Sequence, residues 1–301
     1  TGDLDGDGRL DLIGSNWGLN HKYRASREEP RRLYYGDLDA NSTVDVVEAY
    51  VHKAMGKVVP ERGLNAVSMA MPLVQERIPT YEAFGLASVE EIFGDELKSA
   101  GVLEANTLAS IVFFNRGDRF EAVALPAEAQ WSPAFGICVG DLDGDGNEDV
   151  FLSQNLFAVS PEGWRNDAGR GLWLRGDGKG GLKPMPGQES GVTVYGEQRG
   201  CALADYDGDG RVDLVVTQNG AATRLFHNVR AKPGLRVRLA GPAGNPAGIG
   251  AAVRLVNDKT KGPLREVHGG AGYWSLDSAV QVMTLAEEPT LSPVWRDTLL
   301  P

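Results

Sequence analysis

Fifteen aspartates of the 301-residue chain fall in four short runs of one spacing. The runs are GDLDGDGRLDLIGSN from Gly2, GDLDANSTVDVVEAY from Gly36, GDLDGDGNEDVFLSQN from Gly140 and ADYDGDGRVDLVVTQN from Ala204. Each reads D-x-D-x-[D/N]-x-x-x-D. Oxygens at positions 1, 3 and 5 of such a loop converge on one point when the backbone curls round it. Position 7 offers a backbone carbonyl and position 9 a further carboxylate. The ligand sets read from this spacing are Asp3, Asp5, Asp7, Arg9 and Asp11 in the first loop, and Asp37, Asp39, Asn41, Thr43 and Asp45 in the second. In the third they are Asp141, Asp143, Asp145, Asn147 and Asp149, and in the fourth Asp205, Asp207, Asp209, Arg211 and Asp213. Many hard oxygen ligands in a flexible loop suit Ca²⁺. Mg²⁺ demands tighter octahedral geometry, and zinc favours His and Cys, which these loops lack.

The alternative is an Asx-rich turn with no metal. Four copies, each with three or four carboxylates, favour up to four structural Ca²⁺ ions. The second loop departs from the others, with Asn41 at position 5 and Ala40 and Ser42 in place of glycines, so its site is expected to be the weakest. Four bound ions would bring the formal charge from −11 to about −3.

The segments after the loops, DLIGSN, DVVEAY, DVFLSQN and DLVVTQN, read as strands. Position 12, where an EF-hand needs an acid, holds Gly14, Glu48, Leu152 and Val216, which excludes EF-hand and dockerin pairs. A Ca²⁺ loop inside a repeated β-hairpin points to a propeller. The interval from Asp141 to Asp205, about 64 residues, fits one four-stranded blade. FGICVGDLDGDGNED joins the Phe135-Gly136 pair to an Asp loop, and NRGDRF from Asn115 and LFHN from Leu225 resemble the hairpin that usually precedes the next blade in such repeats. On these motifs the chain resembles the FG-GAP/VCBS repeats of integrin-α-like propellers over most of residues 1–230. The resemblance implies a mainly β fold: a partial β-propeller of FG-GAP/VCBS blades with a short α-helical insertion and a small C-terminal β module. The chain opens inside a motif, so it is expected to be a piece whose missing N-terminal blades would complete the ring.

The interval from Asp37 to Asp141, about 104 residues, holds the insertion. Residues 64–105 lose the β alternation and gain helical spacing. Ser88 and Glu91 form a capping box, Val89, Ile92, Phe93 and Leu97 share a face, and Gly101 is placed to end the helix. After LFHNV the composition turns to alternating apolar and polar residues with Gly/Pro turns. The run GIGAAVRL…REVHGGAGYWS resembles the ASPIC/UnbV domain of cartilage-acidic-protein-like secreted proteins, which is assigned residues 231–290. SPVWRDTLLP departs from that pattern, so 291–301 is read as a tail. GPAGNPAGIG lacks a phosphate-loop lysine and reads as a hairpin turn.

A net charge of −11 disfavours a nucleic-acid partner. No apolar run is long enough for a transmembrane segment. Cys138 and Cys201 each precede an Asp cluster in a strand-like run. They read as buried free thiols, with a disulfide between neighbouring repeats as the sharper alternative. Arg116-Gly117-Asp118 and Arg175-Gly176-Asp177 sit where the repeat carries a hairpin turn, and they read as turns rather than adhesion motifs. The four histidines show no metal spacing. The resemblance implies an extracellular calcium-binding propeller that is secreted, periplasmic or at the cell surface. It would bind a protein or glycan in adhesion, with no catalytic constellation identified. The alternative is a propeller-based polysaccharide hydrolase or lyase.

Overall fold

The computed structural model describes residues 1–257, 260–270 and 272–284, and the backbone of 295–299. The chain is mainly β, with 36% strand and 13% helix, in several small antiparallel sheets that do not close into a barrel. It forms two compact units. One is Lys22–Leu108, and the other joins Thr1–His21 to the described residues from Ala109 onward.

Strand β1 (Leu12–Gly14) belongs to the larger unit. The smaller unit carries β2 (Arg31–Gly36), β3 (Asp45–His52), β4 (Lys57–Pro60) and β5 (Gly101–Ala105). Then come β6 (Ile111–Asn115), β7 (Phe120–Ala124), β8 (Ala134–Gly140), β9 (Asp149–Gln154), β10 (Leu172–Gly176) and β11 (Leu182–Met185). They are followed by β12 (Glu197–Ala204), β13 (Asp213–Asn219) and β14 (Arg224–Asn228). The last are β15 (Leu235–Val237), β16 (Ala252–Val256), β17 (Lys261–Glu266), β18 (Gln281–Met283) and β19 (Trp295–Leu299).

In the larger unit, β1 pairs with β6, and β7 follows as the outer strand. The next sheet is ordered β11-β10-β9-β8 and the third β12-β13-β14-β19. Two pairs, β15-β18 and β16-β17, belong to the same unit. The three main sheets stack in chain order. Val112, Phe114, Val150, Leu152, Leu172 and Leu174 share the first apolar layer. Phe151, Trp173, Cys138, Cys201, Leu214 and Phe226 share the second. Alternation along β9 therefore sends Val150 and Leu152 into one core and Phe151 into the other. This explains why DVFLSQ is buried throughout and reads as an unbroken apolar run.

The Phe135-Gly136 pair lies at a register shift in β8, between Ala134 and Ile137. The counterpart in β12 falls between Gln198 and Cys201. The Ser153 hydroxyl accepts from the Gly136 N–H (2.8 Å), and the Thr217 hydroxyl accepts from the Gly200 N–H (2.8 Å). A side chain at Gly136 would lie 2.7 Å from the Arg199 carbonyl and 2.9 Å from the Cys201 nitrogen. Glycine here lets β8 and β12 press together.

The smaller unit has the sheet order β4-β3-β2-β5. Its core joins Tyr34, Leu38, Val47 and Ala49 to Val67, Val74, Phe84, Ile92 and Phe93 from the helices. Helices span Leu64–Ala70, Leu73–Arg77, Tyr81–Leu86 and Val89–Phe93, followed by a 3₁₀ stretch at Gly94–Ser99. The Ser88/Glu91 capping box is present, with the Glu91 N–H on the Ser88 hydroxyl (3.1 Å) and the Ser88 N–H on the Glu91 carboxylate (2.7 Å). The helix ends at Gly94, φ 61°, not at Gly101. Gly101 opens β5, whose residues pair with β2. The expected tail at 291–301 lies outside the described residues apart from the backbone of 295–299, as do residues 285–290 of the expected C-terminal domain. No helix among the described residues is long and apolar enough to cross a membrane.

Candidate metal centres

Each Asp loop links two paired segments of a sheet: Gly2 with Asp11, β2 with β3, β8 with β9, and β12 with β13. One hydrogen-bond scheme recurs in all four. Position 1 accepts from the N–H at position 6. The donors are Gly8 to Asp3 (3.0 Å), Ser42 to Asp37 (2.9 Å), Gly146 to Asp141 (3.0 Å) and Gly210 to Asp205 (3.0 Å). Position 9 accepts from the N–H at position 2. These donors are Leu4 to Asp11 (2.9 Å), Leu38 to Asp45 (3.0 Å), Leu142 to Asp149 (3.0 Å) and Tyr206 to Asp213 (3.2 Å).

In three loops the other oxygen of position 9 receives an N–H from the third strand, at 2.8 Å in every case. Asn115 donates to Asp11, Gly176 to Asp149 and Asn228 to Asp213. Position 9 thus ties the loop to the sheet. Position 2 supplies the apolar anchor, because Leu4, Leu38 and Leu142 are fully buried. Tyr206 is the exception; it is exposed and packs edge-on against His227. D-L-D stands in three of the loops, so the anchor is visible in the sequence.

The turns need left-handed backbone. Gly6 and Gly8 have φ 72° and 89°, Gly144 and Gly146 have 74° and 88°, and Gly208 and Gly210 have 82° and 83°. In the second loop Ala40 (63°) and Ser42 (68°) adopt the same conformation without glycine.

These bonds bring positions 1, 3 and 9 together. Oxygens of Asp3, Asp5 and Asp11 lie within 4.8 Å of one another, as do those of Asp37, Asp39 and Asp45. The same holds for Asp141, Asp143 and Asp149, and for Asp205, Asp207 and Asp213. Position 5 stands aside from these groupings. Asp7, Asn41, Asp145 and Asp209 each accept the N–H of position 7, from Arg9, Thr43, Asn147 and Arg211 (2.8–2.9 Å). The structure therefore places position 7 in an Asx turn with position 5.

The loops differ in burial. The third is the most enclosed, with Asp141, Asp143, Asp145 and Asp149 all buried. Loss of water raises Asp141 to about 6, with the charges of Asp145 and Glu148 adding to it. Asp143 rises to about 7 through burial and then the Asp145 charge. Asp149 is pushed well up by burial and by Asp143 and Asp141. Burial also raises Asp3 and Asp11, and takes Asp213 to about 6. The second loop is largely exposed apart from Leu38.

Cationic side chains face three of the loops: Arg9 and Arg211 from position 7 of their own loops, the others from elsewhere in the chain, where the motif spacing does not mark them. Arg116 pairs with Asp5, and Arg9 with Asp7. Arg175 Nε is 2.6 Å from Asp143 Oδ2, and Arg175 also reaches Asp145 (3.1 Å). Arg265 pairs with the buried Glu148 beside the third loop (2.5 Å). In the fourth, Arg236 reaches Asp205 (2.7 Å) and Arg211 reaches Asp209 (2.5 Å). His227 Nε2 is 2.9 Å from Asp207, and these two group with Asp209. Both RGD tripeptides open hairpin turns, β6–β7 and β10–β11, and their arginines are committed to loop carboxylates.

The donor set fits a hard divalent cation. Asp3 Oδ1 is buried without a hydrogen-bond partner. Asp143 Oδ2 is buried and paired with Arg175 at 2.6 Å. Carboxylates gathered at this density, with Asp3 Oδ1 left unsatisfied, have the charge and chemistry to hold a metal ion. A comparison of the chain with models of known protein families finds no match, and neither does a comparison with curated proteins.

Proposed function

We propose that the chain is a calcium-stabilised segment of a β-propeller, with a small C-terminal β module, that serves outside the cytoplasm as a protein- or glycan-binding element. The observation that carries this reading is the recurrence of one loop geometry four times, each time with three carboxylates converging. The stacking of successive antiparallel sheets face to face supports the propeller, because radial blades pack in that manner. The resemblance of the motifs to FG-GAP/VCBS and ASPIC/UnbV sequences supports the extracellular setting.

The metal's role would be structural. Asp3, Asp5 and Asp11, Asp37, Asp39 and Asp45, Asp141, Asp143 and Asp149, and Asp205, Asp207 and Asp213 would hold the ions. Bound Ca²⁺ would offset the repulsion in each loop and so couple metal binding to folding. Millimolar Ca²⁺ is sufficient for extracellular modules of this kind. Thermal unfolding in EDTA, in Mg²⁺ and in millimolar Ca²⁺ tests the reading. A large rise in melting temperature with Ca²⁺ and a smaller one with Mg²⁺ is expected. Equal curves in all three buffers would overturn it.

A further inference from the structure

We propose that Cys138 and Cys201 form a disulfide that bolts the β8–β11 sheet to the β12–β14 sheet. The two thiols are on strands of different sheets, and their sulfurs lie 2.9 Å apart in the buried layer between them. Both cysteines are buried and free in this structure, as the sequence reading expects, and their sulfurs are in contact though beyond the bonded separation of about 2.05 Å. The backbone brings the strands together independently of the sulfurs. Gly136 has no room for a side chain against Arg199 and Cys201, and the Ser153 hydroxyl bridges the strands by donating to the Arg199 carbonyl (2.5 Å).

The register repeats. Cys138 pairs across its sheet with Phe151, and Cys201 with Val216, so each thiol points from its own sheet into the same core. Asp277 lies 3.8 Å from Cys138 and is held by the Leu203 N–H (2.7 Å), which sets a carboxyl beside the pair. Among the described residues the groupings of three or more metal-ligating side chains do not include these cysteines. Burial, followed by the contact with Cys201, pushes the Cys138 thiol well up, which makes Cys138 a poor nucleophile once the sheets have closed.

The bond therefore forms before the two sheets close. A small-molecule disulfide such as oxidised glutathione is the oxidant. One cysteine attacks it, giving a mixed disulfide and one released thiol. The second cysteine then displaces the other thiol. Two cysteine S–H bonds and the glutathione S–S bond break, one protein S–S bond and two glutathione S–H bonds form, and the oxidised glutathione is reduced by the two electrons the cysteines lose.

The test is to refold the full chain in Ca²⁺ with a reduced/oxidised glutathione buffer, then measure intact mass and free thiols after denaturation. The chain has two cysteines, so an internal bridge in the monomer has one possible pairing. The expected result is a mass lower by about 2 Da, no free thiol, and a non-reduced digest peptide pair joining Cys138 to Cys201. The bridged protein should melt about 5–10 °C above a Cys138→Ala/Cys201→Ala variant. Two free thiols on a folded monomer after this treatment would overturn the proposal. So would glutathione adducts on both cysteines. The mass result does not require the variant to fold, and it is independent of whether the loops bind Ca²⁺.

Discussion

Asp143→Asn separates a metal site from a turn held by arginine, because the two readings give it opposite signs. Asp143 sits in the third loop with Asp141 and Asp149, and its Oδ1 accepts the Asp145 N–H at 3.2 Å, a bond that asparagine keeps. Its carboxyl is raised from 3.8 to about 7 by burial and the Asp145 charge, despite Arg175 opposite. At pH 7.5 a shift of that size corresponds to about 4 kcal/mol against the folded, metal-free chain. An amide fits Arg175 less well than a carboxyl does, so the net gain on substitution is about 2 kcal/mol. The variant in EDTA should then melt about 4–8 °C above the parent. In millimolar Ca²⁺ the order should reverse, since a charged ligand is gone, and affinity at this loop should fall by at least tenfold, on the order expected for losing one adjacent charge. Paired melting scans with and without Ca²⁺ read both arms. If the variant melts lower in EDTA and keeps the parent's Ca²⁺ response, then Arg175 holds the loop and the cation reading of this site is wrong.

The titration of these groups has a definite sign. Asp141 (about 6), Asp143 (about 7) and Asp213 (about 6) lie above the unfolded carboxyl value, so the stability they confer is complete below about pH 4 and is lost as pH rises through 6–7. The melting temperature in EDTA should fall from pH 5 to pH 8 while the Ca²⁺-saturated curve stays level. A flat EDTA profile would refute the burial argument. Ala40→Gly and Ser42→Gly should each stabilise the Lys22–Leu108 unit by about 0.5–1 kcal/mol, since both positions hold left-handed backbone. Chemical denaturation monitored in that unit checks this, and no gain would mean that the strain is absorbed elsewhere. Asn228→Ala should cost about 3 kcal/mol with or without Ca²⁺. It removes donors to the Leu142 and Val212 carbonyls (2.8 and 3.0 Å) and leaves the loop carboxylates in place. A loss confined to the Ca²⁺-free state would contradict a metal-independent role for these bonds.

The Asp loops, the strands after them and the Ser88/Glu91 cap were legible because each depends on residues a few positions apart. The spacing D-x-D-x-D places carboxylates by local geometry, and β-branched runs such as DLVVTQN declare strands whatever lies around them. Helix termination was harder. Gly94 and Gly101 both suit a helix end, and the choice fell to Phe93 being the last residue of the buried face. The long-range partners left no local signal. Arg254, Arg265 and Arg236 meet the first, third and fourth loops across large sequence separations, and no motif marks them. His227 was likewise unread, because its partners Asp207 and Asp209 lie across a hairpin rather than at helical spacing. Nor did the spacing reveal that β1 pairs with β6 across the whole Lys22–Leu108 unit, since that pairing is set by packing of Val112 and Phe114 against β9.

The most direct measurement is calcium titration calorimetry on the chelated full chain at pH 7.5. Three or four bound ions per chain are expected, the weakest at the exposed second loop with Asn41. No heat of binding at millimolar Ca²⁺, with an unchanged melting curve, would show that the Asp clusters are turns neutralised by arginine and that calcium has no part in the fold.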